Sequence, residues 1–366
     1  MKFKVSKASL NRGINIAIKA VPSHSTMAIM SCMLVKAEEN SLELTGNDLE
    51  IGIMTTIDAE VTEPGIVALD AKMFQSIISK MPSGDISVSV DDDDYVTTIK
   101  SGKARFSICG QNPEMFTGLP EIETENPFLI SGDALREMIQ GTLFSVATNE
   151  TSKVMTGELF QIKDDNLRIV ALDGHRMALR EVNTLSGHPD MKVIVPAKSM
   201  NEISKIINPA SNEDVYIYSS DNHLVLKIED TIITTRLIDG EYFDVNRVIN
   251  ANCTTQVTVD KNTLIECIER AGLFVKAGDK KPIILDVRDN EIEFSINSPT
   301  GAMAESLDVY KHGEDLHVGF NPHLLADAIK ATPDNIVKLS FAGAKSPCYI
   351  KDEDMNYFYM VLPVNI

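Results

Sequence analysis

The sequence predicts an α+β fold built from three copies of one module, and two observations support this. A short strand, a polar capping residue and a helix with apolar residues four apart recur in FKVSKASLNRGINIAI, FLISGDALREMIQGTL and VTVDKNTLIECIERAG. A second helical pattern follows each of these, in DAKMFQSIISKM, PAKSMNEISKII and NPHLLADAIKAT. These helices open on Asp, Pro or Asn-Pro, residues common at helix N-termini. A pattern that recurs at a fixed period indicates one structural unit used several times.

The segments between and after the helices alternate apolar and polar residues, as in SLELTGNDLEIGIMTTI and NLRIVALDGHRMALREV. This alternation predicts antiparallel strands. Each module, of about 120 residues, therefore has two helices packed on an antiparallel sheet. The polar stretches 121–127 and 249–255 lie just upstream of the second and third copies. They predict domains at 1–124, 125–252 and 253–366.

The composition, with 43% hydrophobic and 24% charged residues, is that of a globular protein. The N-terminal segment does not have the pattern of a secretory signal, so we expect a cytoplasmic protein. The five cysteines form no CxxC pair and no metal-ligand spacing with histidine. We expect reduced thiols, and neither a metal nor a cofactor.

The net charge of −19 argues, at first sight, against nucleic-acid binding. An average can hide an uneven distribution, however. Residues 1–37 contain Lys2, Lys4, Lys7, Arg12, Lys19 and Lys36 and no acidic residue. An acidic protein with one basic face therefore remains open.

The stretch ALDGHRMALR, residues 171–180, places Asp173, His175 and Arg176 within four residues, on a glycine turn between apolar flanks. Asp173 and His175 are two apart, which suits an acid–base pair, but the sequence supplies no nucleophile motif to accompany them. Asp-Gly between two apolar runs equally predicts a hairpin turn. The first copy, TGNDLE, keeps the aspartate but lacks the histidine and arginine. Catalysis, a structural turn and a binding surface are all compatible with the spacing.

The whole chain resembles the bacterial DNA polymerase III β subunit family, the sliding clamps. The resemblance rests on LTGNDLEIGI (44–53), ALDGHRMALR (171–180), TTRLIDGEYFDVNRVI (234–249) and the terminal YMVLPVNI (359–366). It implies a non-catalytic protein, in which two chains close a six-domain ring around duplex DNA. Such a ring tethers the replicative polymerase and other partners, and contacts to phosphate need only be weak and independent of sequence. The alternatives are a repeat scaffold that does not bind DNA and a hydrolase-like enzyme using Asp173 and His175.

The resemblance also implies three sets of site residues. Candidates to face DNA are Lys7, Arg12, His24, Lys72, Asn149, Lys198 and Lys205. Candidates for a pocket that binds short linear peptides of the polymerase, the clamp loader and repair proteins are Met155, Leu172, Gly174, His175, Arg176, Met177, Phe243, Val248, Asn321, Val361, Leu362, Pro363 and Val364. Phe106 and Leu273 match apolar positions of a head-to-tail dimer interface.

The chain departs from the family pattern at several of these places. Phe243, Val245 and Asn250 stand where proline, an aromatic residue and proline are common, and the chain ends in Asn-Ile where Arg-Leu is frequent. These changes bear on which peptides the pocket prefers. His24 stands where the family usually has arginine, and Gly272 replaces a larger residue at the dimer contact.

Overall fold

We describe the protein from a computed structural model, which covers residues 1–120, 125–148, 152–184, 189–209, 211, 213–249, 252–275 and 281–366. The chain forms two compact units. Met1–Asp133 and Lys205–Leu237 make up the first, and Ala134–Ser204 and Ile238–Ile366 make up the second. All five cysteines are free thiols.

The three modules repeat one order of elements: a strand, a helix, several strands, a second helix and three strands. The first contains β1 (Lys2–Ser6), α1 (Lys7–Ala17), β2 (Cys32–Glu38), β3 (Ser41–Asn47), β4 (Ile51–Asp58), β5 (Glu60–Glu63), β6 (Gly65–Asp70), α2 (Ala71–Lys80), β7 (Asp85–Val90), β8 (Val96–Ser101) and β9 (Ala104–Cys109). The second contains β10 (Phe128–Ser131), α3 (Gly132–Gln140), β11 (Gly157–Lys163), β12 (Asn166–Leu172), β13 (Arg176–Asn183), β14 (Met191–Pro196), α4 (Ala197–Ile206), β15 (Asp214–Ser219), β16 (His223–Ile228) and β17 (Thr231–Arg236).

A single helical turn, α5 (Asn246–Ile249), precedes the third module. That module contains β18 (Thr255–Asp260), α6 (Lys261–Gly272), β19 (Ile283–Arg288), β20 (Glu291–Ser298), β21 (Gly301–Asp308), β22 (Tyr310–Gly313), β23 (Leu316–Phe320), α7 (Pro322–Lys330), β24 (Ile336–Phe341), β25 (Cys348–Lys351) and β26 (Tyr357–Val361). The predicted α+β class and the threefold repeat are therefore confirmed.

The helices begin where the capping residues predict. Ser6, Asp70 and Asp260 each accept a hydrogen bond from the main-chain N–H three residues later, at the starts of α1, α2 and α6. Each helix then buries apolar residues three or four apart, such as Leu10 and Ile14 of α1. That spacing makes one continuous apolar stripe, which packs on the sheet and forms the core of the module.

The sheets extend across the module boundaries. One eight-stranded sheet has the order β10-β15-β16-β17-β4-β3-β2-β6, and a nine-stranded sheet has the order β14-β11-β12-β13-β26-β25-β24-β18-β22. The remaining sheets, β5-β1-β7-β8-β9 and β21-β20-β19-β23, each contain strands of one module alone. Among the described residues these two sheets have four edge strands, β5, β9, β21 and β23.

Candidate functional site

The turn at 173–176 joins β12 to β13, as the Asp-Gly pattern predicts. Asp173 Oδ1 accepts hydrogen bonds from the main-chain N–H groups of His175 (2.9 Å) and Arg176 (3.0 Å). Gly174 has a φ of +85°, in the left-handed region. Nothing lies within 4 Å of where its Cβ would be. The turn therefore presents an open glycine backbone beside the exposed His175 side chain.

The Arg176 guanidinium has three intramolecular contacts. Its Nε donates to Asp173 Oδ2 at 3.0 Å, and a terminal nitrogen donates to Asp327 Oδ2 at 2.6 Å. It also lies over the ring of Phe144, 5.3 Å from the centroid. Its side chain is only 12% exposed. Arg176 thus fixes the turn to α7, and His175 supplies the exposed ionisable side chain of the turn.

The C-terminal segment lies directly beside this turn. Arg176 of β13 is opposite Val361 of β26, and the Leu362 N–H donates to the His175 carbonyl at 2.8 Å. Val364 N–H donates to the Gly319 carbonyl at 2.8 Å. Leu362 is 36% exposed. The structure therefore brings the last residues of the chain together with the DGHR turn, as the sequence prediction requires.

An apolar cluster underlies the turn and joins most of the remaining candidate pocket residues. Met155, Leu172, Met177 and Val248 pack in one cluster with Tyr242. Leu172 and Met177 are buried, while Met155 and Val248 are half-buried. Methionine side chains are flexible and polarisable, and so adapt to different apolar groups. This arrangement can hold aliphatic or aromatic side chains of a bound segment.

The other candidate pocket residues differ in their surroundings. Phe243 is 48% exposed and directly follows the buried Tyr242, whose hydroxyl donates to the carbonyl of Val170 at 3.2 Å. Asn321 caps α7, accepting from the His323 N–H at 2.9 Å. Pro363 and Val364 are half-buried.

The geometry does not support the hydrolase-like alternative. Both oxygens of Asp173 bind the turn or Arg176, so the carboxylate acts as a structural acceptor. Within the residues that the structure describes, no group of three or more His, Cys, Asp or Glu side chains is placed to hold a metal ion.

The basic candidates for DNA contact have different surroundings. Lys7 donates its ammonium to the carbonyls of Ser79 and Met81 at the C-terminus of α2. Lys72 donates to the carbonyl of Ser23 at 2.6 Å. Arg12 is 63% exposed, and its guanidinium is 4.0 Å from Glu229. Of these three side chains, that of Arg12 has the weakest internal contact.

Lys198 and Lys205 are exposed on α4, and His24 is exposed in the segment between α1 and β2. Asn149 lies outside the described residues, as does Asn250. At the predicted dimer contact, Phe106 of β9 is 41% exposed and Leu273, after α6, is 82% exposed.

Comparison with known proteins accounts for the whole chain. The N-terminal, central and C-terminal domain models of the DNA polymerase III beta subunit match residues 1–120, 129–244 and 246–365. The chain belongs to this family. It is 30% identical to the beta sliding clamp of Bacillus subtilis over 377 aligned positions, covering 100% of this chain and 99% of that protein.

Solved structures agree. A crystal structure of the Bacillus subtilis sliding clamp superposes with a TM-score of 0.95 at 30% identity, over 100% of this chain and 99% of that one. A candidate DNA polymerase III beta subunit from Eubacterium rectale gives 0.95 at 43% identity, with the same coverage. The chain therefore functions as a sliding clamp, a non-enzymatic processivity factor of DNA replication. No helix in the described ranges is long and apolar enough to cross a membrane.

Sequence reasoning missed two residues that hold this turn and one buried acid. Phe144 and Asp327 hold Arg176, and both are distant from it in the chain. Glu158 is a fully buried acid in β11. Only the last carried a local signal, because GELFQI places a carboxylate among apolar strand residues.

Proposed function

We propose that two copies of the chain associate head-to-tail into a ring around duplex DNA, and that the DGHR pocket tethers partner proteins through short peptides. Both proposals extend the family assignment to named residues. The three domains are those at 1–124, 125–252 and 253–366, and the protein works in the cytoplasm, where a bacterial chromosome is replicated.

The single observation that carries the ring is an unfilled strand pair. In each shared sheet, the last strand of one module pairs with the third strand after the first helix of the preceding module, as β17 with β4 and β26 with β13. By this rule β9 of the first module takes β21 of a third module. Both strands are open sheet edges in the chain. A second copy supplies the missing partner, and a head-to-tail contact made twice closes a ring.

An equivalent main-chain hydrogen bond occurs in each of the two strand pairs, β17 with β4 and β26 with β13, and it defines the register of the pairing. Thr56 N–H donates to the Asp230 carbonyl at 3.0 Å, and 125 residues later Glu181 N–H donates to the Asn356 carbonyl at 2.9 Å. Asp230 is the second residue of the two-residue turn between β16 and β17. Lys103 is the equivalent residue, the second of the two-residue turn between β8 and β9.

Transferring this register puts Phe106 of the partner subunit opposite Met303 of β21. Met303 packs on the third-module core together with Phe274, which directly follows the exposed Leu273. With the ring of Phe106 of the partner subunit placed there, the two exposed apolar side chains of the contact, Phe106 and Leu273, would both be buried. The two sides of this contact are also complementary in charge. The hairpin of β8 and β9 is basic, whereas Glu293 of the neighbouring strand β20 and Asp308 of β21 are acidic.

A ring of this kind supports sequence-independent DNA binding. Twelve helices packed about 8–10 Å apart enclose a hole of about 25 Å, wide enough for a hydrated duplex. Arg12, Lys198 and Lys205 are the exposed basic side chains that we assign to DNA. His24 and Asn149 are assigned to it by family resemblance, and Lys7 and Lys72 contribute their charge from the ends of α1 and α2.

The pocket proposal rests on the apolar cluster beside an accessible glycine turn. Met155, Leu172 and Met177 offer a slot for leucine or phenylalanine anchors. Exposed backbone groups at Gly174 can hydrogen-bond to an extended peptide.

Disulfide trapping tests the ring. The transferred register places Ser107 opposite Ala302, both exposed, so cysteines there should cross-link two chains under oxidation in a Cys109→Ser background. Ser107→Cys with Ala304→Cys is the control, two residues out of register on the same face. Equal cross-linking of both pairs, or none of either, would contradict the proposed interface.

Retention on DNA tests encirclement. Protein loaded on closed circular DNA should stay bound through gel filtration and dissociate once the circle is linearised. Equal loss from circles and linear DNA would contradict encirclement.

A further inference from the structure

The second module contains a buried carboxylic acid that the pocket and the ring do not explain. Glu158 of β11 has no exposed surface. Its Oε1 lies 2.6 Å from the hydroxyl oxygen of Thr142, just after α3. Its Oε2 has no hydrogen-bond partner among the described residues. An acid in this setting needs a reason, because burying a charge without partners is costly.

The contacts of the Thr142 hydroxyl are compatible with a neutral Glu158, although a hydrogen bond donated by Thr142 would by itself lower the pKa of the acid. The Thr142 hydroxyl oxygen also lies 2.9 Å from the Met138 carbonyl and 3.2 Å from that of Ile139. One hydroxyl hydrogen cannot serve both a carboxylate and these carbonyls. If Glu158 is protonated, it donates to Thr142, and Thr142 donates to the end of α3. Consistently, burial raises the pKa of Glu158 to about 8.

The repeat shows that the fold does not need this pair. The positions 125 residues before Thr142 and Glu158 are Ala17 and Met33, both buried and apolar. In the third module Ile283 takes the place of Glu158. The same strand and helix end therefore pack in the other modules without a polar contact.

The contact closes the base of a loop that reaches the candidate pocket. Thr142 lies just after α3 and Glu158 is the second residue of β11; between them the structure describes residues 143–148 and 152–157. Within it, the Ala147 N–H donates to the Met155 carbonyl at 2.9 Å. Met155 then packs against the apolar cluster of Leu172 and Met177.

We propose that Glu158 is a positioning residue for the peptide pocket, holding the loop that carries Met155 in place through its neutral acid's hydrogen bond to Thr142. This inference rests on the proposed pocket. Its consequence is that ionisation of Glu158 releases Met155 from the cluster and weakens peptide binding. A carboxylate at this depth with a single donor is costly, so its ionisation favours a rearrangement that lets water or a further donor reach it.

Two ionisable groups lie near enough to matter. Burial, and after it the Glu158 carboxylate, raises the pKa of the Tyr242 phenol. Arg180 of β13 lies on the same sheet face, since Phe160, two residues after Glu158, is opposite Ile169, which is opposite Arg180. Its guanidinium is stacked on Tyr357 and Tyr359 and donates to the Ala331 carbonyl. The buried Arg180 Nε has no hydrogen-bond partner among the described residues. Of the acid, the phenol and the guanidinium, Glu158 is the group whose pKa, raised by burial to about 8, lies within the range of the test.

Methionine-methyl NMR tests the inference without depending on peptide. The Met155 methyl signal, assigned with Met155→Leu, should shift with a midpoint at about pH 8 in the wild type. The Glu158→Gln variant keeps an amide donor to Thr142 but has no acid at this position. In it, the pH-dependent shift of the Met155 signal should be absent, although the other ionisable groups of the protein still titrate. Thr142→Val gives a second variant, and it should displace the Met155 signal at neutral pH.

Peptide affinity is measured on the same samples, with a blocked peptide that has no ionisable group. The wild type should bind at least about threefold more weakly at pH 9.5 than at pH 6.5, and Glu158→Gln should not show this difference. A Met155 signal that does not titrate, or that titrates equally in Glu158→Gln, overturns the inference. So do affinity profiles that are parallel in the two proteins. A titrating Met155 without peptide binding at any pH retains the positioning role and overturns the pocket instead.

Discussion

The same turn occurs twice in the chain, 125 residues apart, and its two copies have different neighbours. Asp48 Oδ1 accepts from the N–H groups of Glu50 (2.9 Å) and Ile51 (2.7 Å), in the same pattern as Asp173. Leu49 has a φ of +72°, close to the +85° of Gly174. The backbone and its aspartate are thus common to both turns and belong to the fold.

The surroundings separate the two copies. Beside the first turn is a groove of about 240 Å³ whose lining mixes polar residues, among them Asn47 and His223, with apolar residues such as Leu119. Beside the second is the apolar cluster with Met155 and Met177. Side chains that differ between the two copies are not needed to form the turn, so they can have a functional role. The comparison therefore directs attention to the glycine, the histidine and the apolar wall of the second copy.

The largest expected effect concerns the acid that only the second module has. The folded-state pKa of Glu158, about 8, is above that of an unfolded glutamate, so the folded protein holds the extra proton. Its stabilising effect is complete below the unfolded pKa and is lost as pH rises to about 8, at up to about 1.4 kcal/mol per pH unit. Glu158→Met, which installs the first-module residue, should flatten this slope in urea unfolding measured from pH 5 to 9. Parallel slopes for the two proteins would show that Glu158 is ionised in the folded state.

Arg176→Ala should have the next largest effect. It leaves Asp173 and Asp327 without their shared cation and removes the contact with Phe144, so we expect a loss of about 2–4 kcal/mol in the free energy of unfolding. Arg247→Ala is the control, because its pair with Asp244 is exposed and should contribute less than about 1 kcal/mol. Similar losses in the two variants would mean that Arg176 does not fix the turn.

Replacing the residue at the second turn position should have different effects in the two copies. Gly174→Ala introduces a side chain at positive φ and should cost about 1 kcal/mol of unfolding free energy. Leu49→Gly relieves that conformation and should cost less or be stabilising. If Gly174→Ala costs nothing, the glycine is present for access to the backbone alone, and peptide affinity should then fall without a change in stability.

His175→Gln should have the smallest effect on stability, within about 0.5 kcal/mol, since its side chain is exposed. Its peptide affinity should change only a few-fold, because hydrogen bonds at a solvated rim contribute about 1 kcal/mol. A loss of binding comparable to that of an apolar-wall variant would place His175 at the centre of the pocket.

Local patterns were sufficient to predict the modules, the capped helices and the aspartate turn, because each depends on residues close in sequence. The pairing of Arg176 with Asp327 was not predictable, since 151 residues separate them in the chain. Shared sheets were missed for the same reason, because the order of strands across modules leaves no local trace.

Lys7 illustrates the limit of charge as a signal. Its position at the start of α1 suggested DNA, but the ammonium binds carbonyls at the end of α2 that helix geometry leaves unpaired. Lys261 does the same at the start of α6, donating to the carbonyl of Thr332. A lysine at this repeated position therefore has a structural role whether or not DNA is near.

The central claim is that the second turn, and not the first, binds peptide. The most direct test is fluorescence anisotropy with the peptide Gln-Leu-Ser-Leu-Phe on the wild type, Leu362→Asp and Leu49→Asp. Both leucines are exposed beside their turns, at 36% and 59%, so both variants should fold. We predict saturable binding to the wild type and to Leu49→Asp, and a loss of at least about tenfold in Leu362→Asp. Equal binding by all three proteins, or loss in Leu49→Asp instead, would contradict this account.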